Sequence, residues 1–126
     1  MKIEILAKVI FRIDQKYDRI IGNHNLEDWE SCPEEIKQIY FKNISAIKKN
    51  QKIKPEKLHQ NAILILFNHG WKYGETFSEK NKTSPILLPF HQLSESQKIS
   101  YQILYSITNS FLESEKQLCK HLHSCL

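Results

Sequence analysis

Glycine, arginine and cysteine are all scarce in this 126-residue chain, and each scarcity closes off a class of function. Only three glycines are present, at positions 22, 70 and 74, which leaves little from which to build a phosphate cradle. No GxGxxG, P-loop, GxSxG or HExxH pattern occurs. Arg12 and Arg19 are the only arginines, so sixteen of the eighteen basic side chains are lysines. Nucleic-acid readers favour the bidentate guanidinium fork, and here the lysines are scattered among glutamates. The net charge of +4 therefore reads as a solvated surface rather than a nucleic-acid patch. Cys32, Cys119 and Cys125 form no CxxC pair, and their odd number argues against a disulfide framework and for a reducing compartment. Long apolar runs are missing too. The longest, Ala62 to Phe67, has six residues, and Lys2, Glu4 and Lys8 interrupt the N-terminal segment. These features predict a soluble, cytoplasmic protein without a membrane span.

What the chain does contain is helical periodicity. Ile5, Val9, Ile13 and Tyr17 recur at i+4, flanked by Leu6 and Ile10 and opposed by Lys2, Lys8, Arg12, Asp14 and Lys16. This predicts a first helix ended by Gly22 and Asn23. A second opens at Pro33, with Glu34 and Glu35 at its positive end, Lys48 and Lys49 at its negative end, and Ile36, Tyr40, Ile44 and Ile47 as its inner stripe. Pro55 opens a third, closed by Gly70, whose centre is apolar all round and is expected deepest in the core. A strand competes for Ala62 to Phe67, but the run continues a capped helical segment. Ser94 and Gln97 are spaced for a capping box on a fourth helix, with Ile99, Ile103, Ile107 and Phe111 as its stripe, helped by Leu104. Residues 113–126 form a tail that extends as a short helix through Leu118 and Leu122. Between the third and fourth helices, two short strands are expected at Trp71–Tyr73 and Ile86–Leu88, around the loop ETFSEKNKTS.

The second and fourth helices echo one another at an offset of 61 residues. Trp29 falls on Phe90, Cys32 on Leu93, Glu34 on Glu95, Lys37 on Lys98 and Tyr40 on Tyr101. Each unit is preceded by a helix ending near an aromatic, Tyr17 in one case and Trp71 with Tyr73 in the other. Two helix–loop–helix halves, about 1–50 and 54–112, would explain the pattern.

The same residues carry a resemblance. Gly70-Trp71-Lys72-Tyr73-Gly74, then Lys82, then Pro85-Ile86-Leu87-Leu88-Pro89-Phe90, Leu93 and Glu95 follow the order and spacing of the ryanodine receptor repeat (RyR) domain. His59 stands twelve residues before Trp71, where that family commonly has a histidine. Trp29, Pro33 and Glu34 resemble the first half of its longer prokaryotic versions. The resemblance spans residues 3–112 and is strongest over 59–98. It implies a mainly α fold with a short β pair: a four-helix RyR-like domain of two pseudo-repeated halves. Small prokaryotic and phage members are thought of as sensors or effectors in nucleotide-signalled conflict systems. That implies a small anionic or nucleotide-like ligand between the halves. Phe77-Ser78, Ser84 and Tyr101-Gln102 replace the family's Arg-Asp, histidine and Asp-Arg, so the residues that shape the backbone are kept while the charged ones are gone.

Trp71, Tyr73, Lys82 and His59 are accordingly the leading ligand-binding candidates, with the echoed Tyr40 and Tyr101. Two rings at alternate strand positions share a face, and a loop lysine could close over an anion. The ordinary alternative is that both rings cap the core and that His59 is a buried hydrogen-bonding histidine. Cys119, His121, His123 and Cys125 do not make a metal site, because no helix face holds more than two of them. Adjacent Glu34 and Glu35 suit the helix dipole better than acid–base chemistry. The expectation is a non-catalytic binding module without cofactor or metal. The runner-up is a protein-interaction or homodimerisation domain built on the same aromatics.

Overall fold

The cap signals translate directly into helix starts. The Ser94 amide donates to Gln97 Oε1 at 2.8 Å and the Gln97 amide to Ser94 Oγ at 3.2 Å, a reciprocal capping box. The computed structural model describes residues 2–20 and 28–125. Within them run α1 (Ile3–Ile20), α2 (Glu34–Lys49), α3 (Pro55–Asn68) and α4 (Glu95–Cys125). Two short strands, β1 (Lys72–Tyr73) and β2 (Thr83–Ser84), pair in parallel with Lys72 opposite Thr83. The protein is thus mainly helical with a small β pair. No described helix is long and apolar enough to cross a membrane. The expected stop at Gly22 and Asn23 lies outside the described residues.

Ala62 to Phe67 is helical, inside α3, as expected. Several other sequence expectations shift. The second strand lies at Thr83–Ser84 rather than Ile86–Leu88, because the Lys72 amide takes the Lys82 carbonyl at 2.9 Å and Gly74 the Ser84 carbonyl. Residues 113–125 continue α4 without a break instead of forming a separate helix. On α1 the buried residues are Leu6, Ala7, Ile10, Phe11 and Asp14, while Ile5, Val9 and Ile13 face outward. On α4 the buried residues are Tyr101, Leu104, Thr108 and Leu112, while Ile99 and Phe111 are exposed. Both helices carry an apolar arc wider than one stripe, and packing selected the adjacent i+4 row. Nor is α3 buried all round. Leu58, His59, Ala62 and Leu66 point inward, whereas Leu64 and Phe67 are more than half exposed.

The 61-residue echo has a counterpart in local structure. A 3-10 turn at Trp29–Ser31 precedes α2 by the same interval as one at Phe90–Gln92 precedes α4. Lys37 Nζ lies 5.4 Å from the Trp29 ring centre, and Lys98 Nζ lies 5.6 Å from that of Phe90. Trp29 meets Tyr40 edge-on at 6.0 Å, and Phe90 meets Tyr101 at 6.4 Å. Phe11 of α1 completes the first aromatic group, and His59 of α3 completes the second.

α3 ends in a Schellman turn. Gly70 adopts φ +83°, its amide reaches the Phe67 carbonyl at 3.1 Å, and the Trp71 amide reaches the Leu66 carbonyl at 3.0 Å. The turn drops Trp71 onto Leu66, Ile36 and Leu87 in a small second core. A larger core joins α1, α2 and α4 around Phe11, Ile44, Ile47 and Leu104.

Candidate functional site

A cavity of about 180 Å³ opens between the inner faces of α2 and α4, roofed by Phe77 and the segment Ser84–Ile86 and reached by Asp14 and Tyr17 of α1. The two echoed tyrosines, Tyr40 and Tyr101, stand in its wall. Ile36 and Ile39 of α2, Leu104 of α4 and Leu93 just before α4 contribute to its apolar lining.

The polar groups of the wall are organised by hydrogen bonds that run into the protein. Tyr40 Oη donates to Asp14 Oδ2 at 2.7 Å. Tyr101 Oη lies 2.6 Å from His59 Nδ1, and His59 Nε2 lies 2.6 Å from the Leu88 carbonyl oxygen. A carbonyl can only accept, so Nε2 carries the imidazole proton, Nδ1 is the acceptor and the Tyr101 hydroxyl donates to it. Burial depresses the His59 pKa, opposed in part by the Leu88 carbonyl, and the ring is neutral. Burial, aided by the negative charge of Asp14, raises that of Tyr101, which keeps its proton. Asn43, also in the wall, donates to the Leu58 carbonyl at 3.0 Å and accepts from Asn61 at 3.1 Å.

The candidates singled out in the sequence separate into three groups. Tyr40 and Tyr101 line the cavity. His59 stands behind it, fully buried, as the hydrogen-bonding support of Tyr101. Trp71, Tyr73 and Lys82 lie elsewhere and do not converge. Trp71 is buried, with its indole N–H 3.1 Å from Glu35 Oε2 and its ring against Phe77. Tyr73 is exposed. Lys82 Nζ donates to the His69 carbonyl at 2.8 Å, which caps the C-terminal end of α3. The shared ring face and the lysine closure therefore do not form, because Trp71 precedes the strand and belongs to the helix cap.

Glu35 also has a structural role. Burial pushes its carboxyl upward, but its own helix-start amide and the Trp71 indole, with His69 and Lys82 nearby, outweigh this and hold it below the usual range. Cys32 is half-buried and its thiol is pushed up to about 12 by burial, so it is no nucleophile. Cys119 and His121 are exposed near the end of α4, and among the described residues no three metal-ligating side chains come together.

Sequence reasoning missed Asp14, Asn43, Phe77 and Ser100 in the wall. Asp14 had a signal. It follows Leu6 and Ile10 at i+4, which places a carboxylate in register with the row that turned out to be buried. Asn43 sits one position before the buried Ile44 and carried no comparable mark. The fold and cavity define a mainly helical scaffold with a small, largely apolar chamber where two similar aromatic groups meet. No family model, curated protein or solved structure matches the chain.

Proposed function

We propose that the protein is a non-catalytic, RyR-like binding module that holds a small molecule in the chamber between α2 and α4. One observation carries this reading: the chamber combines apolar walls with a few fixed polar groups, the composition of a preformed ligand site. Both nitrogens of His59 are engaged by protein atoms, and the tyrosine protons are committed to Asp14 and His59, which suits holding rather than proton transfer. The ligand chemistry departs from the anionic expectation. Lys82 is turned to the His69 carbonyl, and no lysine or arginine is among the described residues of the wall. A nucleotide-like molecule would have to leave its phosphates outside. The test is a thermal-shift screen of small metabolites on the full chain and on Ser100→Trp, which fills the chamber. Shifts lost in that variant support the reading, and a broad screen without any shift refutes it.

Exposed apolar side chains favour a second reading, an interaction or homodimerisation domain. Phe111, Leu118 and Leu122 lie on the outside of α4, as Ile5 does on α1. Light scattering over a hundredfold range of protein concentration decides it, since a constant monomer mass removes the homodimer.

A further inference from the structure

The chamber also restricts the charge of its occupant. No lysine, arginine or histidine is among the described residues of its wall, so nothing there offsets an anion. Asp14 is the one charged side chain among them, and the protein holds it. Its Oδ2 takes the Tyr40 hydroxyl at 2.7 Å, its Oδ1 has less than 1 Å² of accessible surface, and the residue makes a further interaction within the protein. A charge taken out of water with no counter-charge open to it is strongly disfavoured, whichever its sign. An uncharged guest avoids that cost.

Size and lining narrow the choice further. A dry cavity of about 150 Å³ accommodates a benzene ring. The 180 Å³ chamber therefore takes one ring with a short arm. Tyr17, Tyr40, Phe77 and Tyr101 bring four aromatic side chains to the wall, and such side chains favour an aromatic guest beyond the area they bury. Two wall hydroxyls are open to the arm. Those of Tyr17 and Ser100, both partly buried, make no hydrogen bond among the described residues. A hydroxyl both donates and accepts, so either one matches an uncharged hydroxyl or carbonyl.

We infer that the ligand is an uncharged molecule of one aromatic ring with a single neutral polar group, which the Tyr17 or Ser100 hydroxyl recognises. This rests on the chamber being the binding site, as proposed above.

Four probes of similar shape test it: 2-phenylethanol, 2-phenylethylamine, phenylacetate and propylbenzene, titrated calorimetrically into the full chain at pH 7.5. The alcohol should bind at least about tenfold tighter than the amine and than phenylacetate. Tyr17→Phe/Ser100→Ala, which removes both hydroxyls, should weaken the alcohol about three- to tenfold, the worth of a neutral hydrogen bond. Propylbenzene has no polar group and should change by less than about twofold, which also shows that the variant is folded. Ser100→Trp should abolish binding of the alcohol and of propylbenzene. Amine or phenylacetate binding as tight as that of the alcohol overturns the inference and leaves the chamber as a site. An equal loss for alcohol and propylbenzene in the double variant, or no loss for either, overturns the role of the two hydroxyls. If none of the four binds, the inference fails, and the metabolite screen separately decides the fate of the chamber.

Discussion

The bond between Tyr101 and His59 is the interaction whose removal the structure lets us quantify best. Tyr101→Phe deletes one oxygen and keeps the ring against His59, 5.4 Å between centres, and Phe90. It leaves His59 Nδ1 without its 2.6 Å donor at a residue only 1% exposed. A buried acceptor stripped of its partner costs about 1–3 kcal/mol. Each kcal/mol moves the midpoint of a domain this size by roughly 3–5 °C, so a central cost of about 2 kcal/mol lowers Tm by roughly 6–10 °C. Denaturant melts of wild type, Tyr101→Phe, His59→Leu and the double variant close a thermodynamic cycle. The second substitution should cost about 1 kcal/mol less once the first is in place, since neither half of the Tyr101–His59 bond is then left unpaired, while the Leu88 carbonyl loses its donor in both His59→Leu proteins and cancels from the cycle. Strict additivity, or a Tyr101→Phe protein melting within about 1 °C of wild type, would refute the tautomer and the bond assigned to it.

Other outcomes follow from the same geometry. His59 is neutral and buried with a lowered pKa, so the unfolded chain binds its proton first. Stability is therefore full above the ordinary value of 6.5 and falls as pH drops below it, until the lowered folded value is reached. The slope is up to about 1.4 kcal/mol per pH unit and is absent in His59→Leu, as a stability titration between pH 7.5 and 5 would show. Lys82→Met should cost only about 0.3–1 kcal/mol, the worth of an exposed helix-end cap, and leave ligand binding unchanged. A lost thermal shift would return Lys82 to the site. Gly74→Ala places a Cβ 2.6 Å from Thr83 Cβ and should cost about 1–3 kcal/mol by forcing β1 and β2 apart, measurable in urea. In a Cys119→Ser/Cys125→Ser protein, Cys32 should stay silent to a thiol reagent at pH 8 until urea unfolds the chain.

The local rules were legible in the chain. Ser94 and Gln97 announced their capping box, Pro55 its helix start and Gly70 the stop of α3, because each acts on backbone groups within four residues. The recurrence of Trp29, Lys37 and Tyr40 as Phe90, Lys98 and Tyr101 also marked real contacts, since the same spacing on the same local geometry gives the same ring and cation neighbours. Two of the six candidate site residues, Tyr40 and Tyr101, were reached by that recurrence alone.

Tertiary structure decided the rest. The rows Ile5–Val9–Ile13 and Ile99–Ile103–Ile107–Phe111 looked like buried stripes, yet the adjacent rows through Leu6, Ile10, Leu104 and Thr108 went inside. An apolar arc that is wide enough names a face only to within one residue, and the neighbouring helix chooses within it. That one-residue choice brought Asp14 into the chamber wall. The direction of Lys82 was likewise settled by where the parallel pairing of β1 and β2 left its backbone, within reach of the free carbonyl at the end of α3. The sequence by itself determined where the helices start and which units repeat, because those depend on near neighbours. Only the assembled fold decided which side chains share a cavity, because that depends on residues dozens of positions apart.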